Sequence, residues 1–292
     1  LMEGISHEAI ALAGHLKLNK LILFWDNNSI TIDGAVSLSD STDQIMRFKA
    51  VHWHTNEVDG HDQAAIAAAI EEAHKSDKPT FIACKTVIGF GAPNKQGSHK
   101  VHGSPLGAEE IAATRKALNW EYAPFVIPND VLSDWRAAGT RSADAVKAWE
   151  GRLEKAATKA EFTRRFAGDL PQGFDAAISD YKKKLAETKP TVATRKASED
   201  ALEVINGFLP ETIGGSADLT PSNNTKTSQM HSFTASDHTG RYMLYCIREH
   251  DMAASVNGIA LPQRLIPHGG TSTVPPLYTR HANAHPCINS PH

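Results

Sequence analysis

Hydrophobic positions recur with two different spacings along the first 120 residues. Helical spacing predicts helices over residues 5–18 and 64–74, whose core-facing side chains are Ile5, Ala9, Leu12, Leu16, Ile66 and Ile70. Continuous apolar runs over residues 21–25 and 79–84 predict buried strands, the first of the kind found in the centre of a parallel sheet. Strand, helix and strand in this order indicate a βαβ unit, so we predict an α/β fold with a parallel sheet.

Charged helical stretches dominate the pattern between residues 120 and 190, for example over 142–160 and 174–187. They carry few strong apolar stripes. We therefore interpret residues 120–190 as a helical inter-domain connection. It would join a first domain, residues 1–119, to a second α/β region, residues 191–271.

The second α/β region begins with a predicted helix over residues 197–208 and a short strand over 211–218 that runs into a glycine-containing turn. An apolar run over 241–247 predicts a buried strand, and the helix that follows it has core-facing Met252, Val256 and Ile259. From about Pro262 the sequence is rich in Pro, His, Thr and Asn and has no apolar period. We predict that residues 272–292 form a disordered or poorly packed tail.

Length and composition exclude several classes of protein. A chain of 292 residues suffices for about two domains, and 41% hydrophobic residues is ordinary for a globular protein. A net charge of −3 gives no indication of a nucleic-acid partner, and no apolar run has the length of a membrane helix or a signal peptide. The three cysteines, at unrelated spacings, predict neither a disulfide framework nor a metal site, so a cytoplasmic location is the default. The chain starts without an initiator methionine, which suggests a start inside a domain.

Glu249 lies where the predicted strand over 241–247 gives way to a helix. Such junctions are where α/β proteins place their chemistry. A helix N-terminus also stabilises a negative charge. The alternative is a helix-initiating glutamate beside a surface arginine.

Polar residues follow the first predicted strand as Asp26, Asn27 and Asn28. Side-chain amides and free backbone carbonyls at the carboxyl end of a strand suit a hard cation such as Mg²⁺, which usually keeps a phosphate as co-ligand. The alternative is a polar turn, since this composition is common in turns.

Two further segments carry basic side chains. His99, Lys100 and His102 lie in a glycine-rich loop and could contact a phosphate or move protons, although no further ligand stands at zinc-site spacing. Arg195 opens a helix, where an arginine can bind a phosphate or a carboxylate. The alternatives are a flexible basic loop and an exposed pair of charges, respectively.

A double glycine, Gly214-Gly215, precedes three polar residues, Asp218, Ser222 and Asn223. Adjacent glycines let the backbone approach a ligand closely. The alternative is a turn that ends a strand.

Nine segments, in this order, resemble transketolases, which are thiamine-diphosphate enzymes: MEGISHE (2–8), LAGHLKL (12–18), WDNN (25–28), TIDG (31–34), KTVIGFG (85–91), HGSPL (102–106), TRKAS (194–198), GGSADLTPSN (214–223) and IREH (247–250). The resemblance covers the chain to about Leu261. It implies the parallel-sheet thiamine-diphosphate-binding fold, with the C-terminal part of the diphosphate-binding domain and the N-terminal part of the pyrimidine-binding domain.

The activity implied by the resemblance is reversible transfer of a two-carbon ketol group from a ketose phosphate to an aldose phosphate, as in the pentose phosphate pathway. The reaction passes through a thiamine diphosphate carbanion. The implied cofactors are thiamine diphosphate and Mg²⁺, for which Ca²⁺ could substitute. The implied partners are sugar phosphates and a second subunit in a cytoplasmic homodimer, with no nucleic acid and no membrane.

The resemblance also assigns roles in the diphosphate-binding domain. Asn28 and the carbonyl of Ile30 would be the Mg²⁺ ligands that hold the diphosphate. Ile88 would lie near the thiazolium ring. His102 would contact both the diphosphate and the substrate, and is a candidate catalytic residue.

In the pyrimidine-binding domain, Arg195 and Ser222 would bind the sugar phosphate and Asp218 would line the cofactor site. Glu249 would bind a pyrimidine ring nitrogen and help form the carbanion, which makes it the second candidate catalytic residue. Glu3, also counted as cofactor-binding, and Glu8 match positions at the subunit interface that couple the two active sites.

The chain departs from the family at several points. The family's Gly-Asp-Gly motif, whose aspartate binds the metal, would precede Leu1. Pro262-Gln263-Arg264 and His268–Ser272 replace two glycine-containing motifs, and no resemblance is found beyond Thr271, as after a shift of reading frame. Asp251 stands where the family usually has a small residue. The alternative function is therefore an inactive truncated or frameshifted fragment that neither catalyses nor binds cofactor.

Overall fold

The computed structural model describes residues 2–262, 264–272, 278–280 and 282. The chain forms two compact units, one of Ala13–Arg152 and one of Leu1–Leu12 with Leu153–His292. No helix within the described part of the chain combines the length and apolarity that crossing a membrane requires.

The unit Ala13–Arg152 contains a three-stranded parallel sheet in the order β1-β3-β2. Thr80 of β3 is in register with Ile22 of β1 and with His54 of β2. The elements from the start of the chain to this sheet are α1 (His7–His15), β1 (Ile22–Asn27), α2 (Gln44–Ala50), β2 (His54–Asp59), α3 (Gln63–Ala73) and β3 (Thr80–Lys85). The prediction of an α/β fold with a parallel sheet is confirmed.

Strand β3 lies at the centre of this sheet and carries its core. Phe81 stacks on Phe48 of α2 with ring centroids 3.8 Å apart, and Ile82 packs with Ala69 of α3. The predicted central strand, β1, is an edge strand among the described residues, and its Phe24 is 46% exposed. Strand β2 was not predicted because HTNEVD has no continuous apolar run.

The face predicted for the first helix was wrong in part. Ile10, Leu12 and Leu16 are buried, whereas Ile5 and Ala9 are exposed. Apolar residues at helical spacing lie on two adjoining faces of this helix. The spacing therefore predicts that a helix forms, but not which of the two faces packs against the core.

Five helices follow in the middle of the chain: α4 (Ala108–Ala117), α5 (Asn129–Thr140), α6 (Ala143–Lys155), α7 (Lys159–Ala167) and α8 (Phe174–Thr188). None of the residues in α5 to α8 is buried. The helical character predicted for residues 120–190 is confirmed, while their role as an inter-domain connection stays a prediction.

The other unit contains a parallel sheet in the order β5-β4-β6, in which Gly214 of β4 is in register with Tyr242 and His268. Its elements from Thr194 onwards are α9 (Thr194–Phe208), β4 (Thr212–Ser216), α10 (Thr220–Asn223), β5 (Tyr242–Leu244), α11 (Glu249–Ala260) and β6 (Ile266–Gly270). Strand β5 is shorter than the predicted strand, because Cys246 has φ 53 and Ile247 is exposed.

Strand β6 corrects the expectation that regular pattern ends at about Pro262. It pairs with β4 over its whole length, although it reads IPHGG and has only one strong apolar residue. Of the predicted tail, residues 273–277, 281 and 283–292 lie outside the described residues. Ala282, by contrast, is 2% exposed and its carbonyl accepts a 2.7 Å hydrogen bond from Asn257 Nδ2 of α11, so this position is packed.

Candidate active site

The first group of candidate residues lies where β1 ends. Asn28 Oδ1 accepts a 3.0 Å hydrogen bond from the Ile30 amide, and Ser29 between them has φ 62. The Ser29 carbonyl accepts from the Val36 amide at 2.9 Å, which closes the loop back on itself. This local turn is what the alternative interpretation of the motif predicts, and it also holds Asn28 Oδ1 and the Ile30 backbone close together.

A polar network joins this turn to the end of β3. Asp26 accepts hydrogen bonds from the Thr86 hydroxyl and, at 3.4 Å, from Asn28 Nδ2. Lys85 Nζ donates to Ser29 Oγ at 2.5 Å. The carboxyl ends of two neighbouring parallel strands therefore meet in one set of polar groups, as expected of a ligand-binding edge.

The oxygen donors at this edge fit a hard cation in part. Asn28 Oδ1 and the Ile30 carbonyl are of the type that Mg²⁺ binds, and no described residue donates a hydrogen bond to the Ile30 carbonyl. Among the described residues, however, no group of three or more His, Cys, Asp or Glu could hold a metal ion. A cation here would take its remaining ligands from phosphate oxygens and water.

Ile88 and His102 lie in the loop that follows β3. The Ile88 carbonyl accepts a 2.8 Å hydrogen bond from the Gly97 amide, which folds the loop back. A Cβ at Gly89 would stand 3.0 Å from Val101 Cγ2, so the residue after Ile88 contacts the residue before His102. The sequence named Ile88 and His102 separately, and the fold brings their segments together. The His102 side chain is exposed.

In the other unit, Arg195 and Ser222 come together from motifs 27 residues apart. Arg195 Nη1 lies 3.4 Å from the Ser222 carbonyl oxygen, which accepts its hydrogen bond. Arg195 is in the first turn of α9, Ser222 is in α10, and both are exposed. An exposed guanidinium beside a serine can bind a phosphate through further N–H and O–H donors.

Asp218 lies in the turn between β4 and α10. It is exposed and has φ 58, a left-handed conformation that aspartate tolerates better than most residues. Ser216 fixes this turn, since its hydroxyl donates to the Gly270 carbonyl at 2.9 Å and accepts from the Leu219 amide at 3.2 Å. Ser222 follows four residues later, in α10.

The double glycine of β4 corrects one inference. A Cβ at Gly214 would stand 2.1 Å from Nε2 of His268, and a Cβ at Gly215 would stand 2.4 Å from Cε2 of Tyr245. These glycines are thus required by side chains of the unit's own core. The close approach predicted for a ligand is made by protein side chains instead.

Glu249 is the first residue of α11, four residues of loop after β5 ends at Leu244, and is half-buried. The preceding residue, Arg248, donates from Nη1 to the Tyr245 carbonyl at 3.2 Å. The predicted strand-to-helix junction is therefore present. The side chain of Arg248 is turned back to the strand end and makes no capping hydrogen bond to the helix.

Asp251, two residues further on, is the deeply buried carboxyl of this turn, with 4% of its surface exposed. Burial raises its pKa from 3.8 to about 6, the Ser255 hydroxyl lowers it, and the charge of Glu8 raises it further. The Asp251 amide donates to Glu8 Oε2 at 2.9 Å, so α1 and α11 are joined within one chain. Glu3 is exposed, and its carbonyl accepts from the Ser6 amide at 3.0 Å. The interface role of Glu3 and Glu8 stays a prediction.

Two histidines of interest, His61 and His268, are not marked as candidates by any sequence pattern. His61 Nε2 accepts a 3.0 Å hydrogen bond from the Val87 amide, and its ring stacks on Phe90 at 4.0 Å. It lines an open cavity of about 510 Å³ at the carboxyl ends of β2 and β3. The sequence feature that could have indicated His61 is the turn Asp59-Gly60-His61 at the end of β2. Because β2 was not predicted, this turn could not be placed at a strand end. His268 is the second, and lies in β6, which was not predicted either.

Comparison with protein families identifies two matching segments. Residues 1–171 match the family described as transketolase, thiamine diphosphate binding domain. Residues 190–274 match the transketolase, pyrimidine binding domain. Thiamine-diphosphate-binding domains are thus present, in the order that the resemblance implied.

Individual relatives agree with this. The chain is 53% identical to the transketolase of Cereibacter sphaeroides over 271 residues, and 49% identical to that of Sinorhizobium medicae over 286 residues. These alignments cover 93% and 97% of this chain and 41% of each relative. The second alignment extends beyond Thr271, the last residue at which motifs alone showed a resemblance.

Among solved structures, a Pichia stipitis transketolase variant in complex with fructose-6-phosphate superposes with a TM-score of 0.87 at 39% identity. The match covers 97% of this chain and 43% of that one. The chain thus spans about two fifths of the length of the relatives it matches. By its two domain matches and its fold, the chain belongs to the transketolase family.

Proposed function

We propose that the candidate residues of the two units serve the transketolase reaction, the reversible transfer of a two-carbon ketol group from a ketose phosphate to an aldose phosphate. The observation that carries the proposal is the hydrogen bond from Arg195 to the Ser222 carbonyl, four residues after Asp218. A guanidinium held at the backbone of an exposed serine, with N–H donors and a hydroxyl left for a ligand, suits the phosphate of a sugar phosphate. The Pichia stipitis relative, whose complex contains fructose-6-phosphate, supports this substrate class.

In this proposal, Asn28 Oδ1 and the Ile30 carbonyl would hold Mg²⁺, or Ca²⁺ in its place, whose charge would favour binding of the cofactor's diphosphate. His102 contacts the diphosphate and the substrate, and Ile88 provides an apolar contact for the thiazolium ring. When bound, thiamine diphosphate supplies the carbon nucleophile and the electron sink of the reaction.

Glu249 is proposed to hold a proton at a nitrogen of the pyrimidine ring, where its place in the first turn of α11 suits a negative charge. Asp218 lines the cofactor site. Arg195 and Ser222 would bind and orient the phosphate of the sugar phosphate. The assembly proposed is a cytoplasmic homodimer acting in the pentose phosphate pathway.

A polypeptide of these 292 residues alone is expected to bind the cofactor weakly and to show no measurable transfer, because the described residues of the candidate site offer the cation only Asn28 Oδ1 and the Ile30 carbonyl. Calorimetric titration with thiamine diphosphate and Mg²⁺ checks this. A micromolar or tighter dissociation constant would contradict it.

The reaction itself is tested in a chimera in which this chain replaces the matching segment of the Cereibacter sphaeroides relative. Ketol transfer from fructose 6-phosphate is the measured quantity. Glu249→Gln is expected to lower kcat by about 100-fold or more, as the loss of a positioned acid–base group does. Glu187→Gln, at an exposed position of α8, is the matched control and should leave kcat unchanged. A folded chimera that binds cofactor but transfers nothing would refute the proposal.

A further inference from the structure

The N-terminal turn of α11 is capped from outside the helix. Its N-cap residue, Arg248, makes no side-chain capping hydrogen bond. Glu8 of α1 takes this part instead, because its Oε2 accepts the amide hydrogen of Asp251 at 2.9 Å. A free amide in the first turn of a helix needs such an acceptor. The turn that begins with Glu249 is therefore held by a carboxylate 243 residues away in sequence.

The side chain of Asp251 lies in the same place with an incomplete set of partners. It is 4% exposed; Oδ1 accepts a 3.3 Å hydrogen bond from Ser255 Oγ, and Oδ2 is buried with no hydrogen-bond partner. Ionising this carboxyl is unfavourable in free energy, because Oδ2 has lost its hydrogen bonds to water and accepts none from the protein. The protonated form avoids that cost.

We propose that Asp251 is a positioning residue for Glu249: its protonated carboxyl permits the Glu8 carboxylate to cap α11, and its ionisation sets two negative charges against each other and displaces the turn. The inference gains its catalytic meaning from the proposed function, while the structural effect is independent of it. Asp251 is not among the residues proposed to bind cofactor or substrate, so its effect on Glu249 would pass through the helix turn.

The charges around Asp251 decide where ionisation occurs. Glu8 on α1 opposes the negative form, while Arg248 and His250 beside it favour that form. The buried Tyr245 phenol, before α11, also faces it. Burial first, and then the charge of Asp251, raise the pKa of that phenol. Burial outweighs the favourable groups, so the pKa of Asp251 rises to about 6. The change in the turn therefore falls within the range in which enzymes usually work.

Carbon-13 spectra of the aspartate carboxyls in the 292-residue chain test this without any cofactor. One aspartate is expected to titrate near pH 6, and the backbone amides of Glu249 and Met252 are expected to shift with the same midpoint. In Asp251→Asn both changes should disappear. Glu8→Gln, which keeps the acceptor and removes the charge, should lower the midpoint of Asp251.

The matched control is Asp175→Asn, which changes an exposed acid in the first turn of α8 in the same unit and should leave both titrations intact. If every aspartate titrates near its ordinary value, or if the Glu249 amide does not follow the Asp251 carboxyl, the proposal is overturned. Cofactor binding is measured separately by calorimetry. Failure of the proposed function would therefore leave this titration in place, and failure of the titration would leave cofactor binding unaffected.

Discussion

His268 lies against Gly214 so closely that a single added Cβ on the glycine would stand 2.1 Å from its Nε2 atom. The two residues are also in register across β4 and β6. The packing of the strand that ends at the Asp218 turn therefore depends on a glycine facing a histidine, and each partner leads to a separate prediction.

Gly214→Ala is expected to destabilise the unit by about 2 kcal/mol or more, because the ring of His268 must move within a packed sheet. Urea denaturation followed by circular dichroism measures the change. Gly258→Ala in α11 is the matched control: no atom lies within 4 Å of its added Cβ, and alanine in a helix should stabilise by about 0.5 to 1 kcal/mol. Equal effects of the two substitutions would contradict the packing argument.

His268 should also make the unit sensitive to acid. Burial lowers its pKa from the ordinary 6.5, and Nε2 is buried without a hydrogen-bond partner. Since the unfolded chain then takes up the proton first, stability is full above about pH 6.5 and falls as pH drops toward the folded-state value. His268→Phe keeps a ring of similar size and should lose this dependence. Urea denaturation of both proteins between pH 8 and pH 5 measures this. The difference between their free energies of unfolding at pH 8 serves as the reference.

Asp251 should give the opposite dependence on pH. Its folded-state pKa is raised from 3.8 to about 6, so the folded chain binds the proton more readily than the unfolded chain. Stability therefore falls as pH rises from about 4 to 6, by at most about 3 kcal/mol. Asp251→Asn should remove this loss, so that its stability relative to wild type increases over that range and stays constant above it. An unchanged difference between pH 4 and pH 7 would be evidence against a buried, proton-binding Asp251.

The sequence predicted those elements whose apolar residues are continuous or strictly periodic, such as β3 and α11. It missed β2 and β6, because HTNEVD and IPHGG lack that pattern and become strands only by pairing with β3 and β4. Candidate residues were named one motif at a time. Their proximity, as between Arg195 and Ser222, depends on how the start of α9 lies against α10, which no local pattern contains.

The same limit applies to Glu8 and Asp251. The sequence marked Glu8 by family resemblance and Asp251 as a departure from it. Their hydrogen bond joins residues 243 positions apart. The sequence drew attention to Glu249, but the more deeply buried carboxyl of the turn is that of Asp251, while Glu249 is half-buried. Spacing along one helix cannot predict a partner supplied by another element.

Replacing Cys246 by glycine should stabilise the folded chain. Its φ of 53 is a left-handed conformation that costs a side chain about 1 kcal/mol or more and that glycine adopts freely. Cys246→Gly is therefore expected to raise the free energy of unfolding by up to about 1 kcal/mol. The adjacent exposed Ile247, whose φ is negative, provides the control: Ile247→Gly should not stabilise the chain. A loss of stability in Cys246→Gly, measured by thermal unfolding, would refute the strain.

Arg195 should determine affinity for the phosphate group of the substrate. In the chimera with the Cereibacter sphaeroides relative, Arg195→Ala is expected to raise KM for fructose 6-phosphate by about tenfold or more, since a charge-assisted hydrogen bond contributes roughly 1.5 to 3 kcal/mol. The value of kcat should change much less, because the phosphate is bound equally in the ground state and the transition state. Lys196→Ala is the matched control: its ammonium is already bound by Glu199 at 3.0 Å and Asp200 at 2.8 Å, so its loss should leave KM unchanged. Equal increases of KM in both variants would mean that the phosphate is attracted by the total positive charge at the start of α9. The specific site formed by Arg195 and Ser222 would then be refuted.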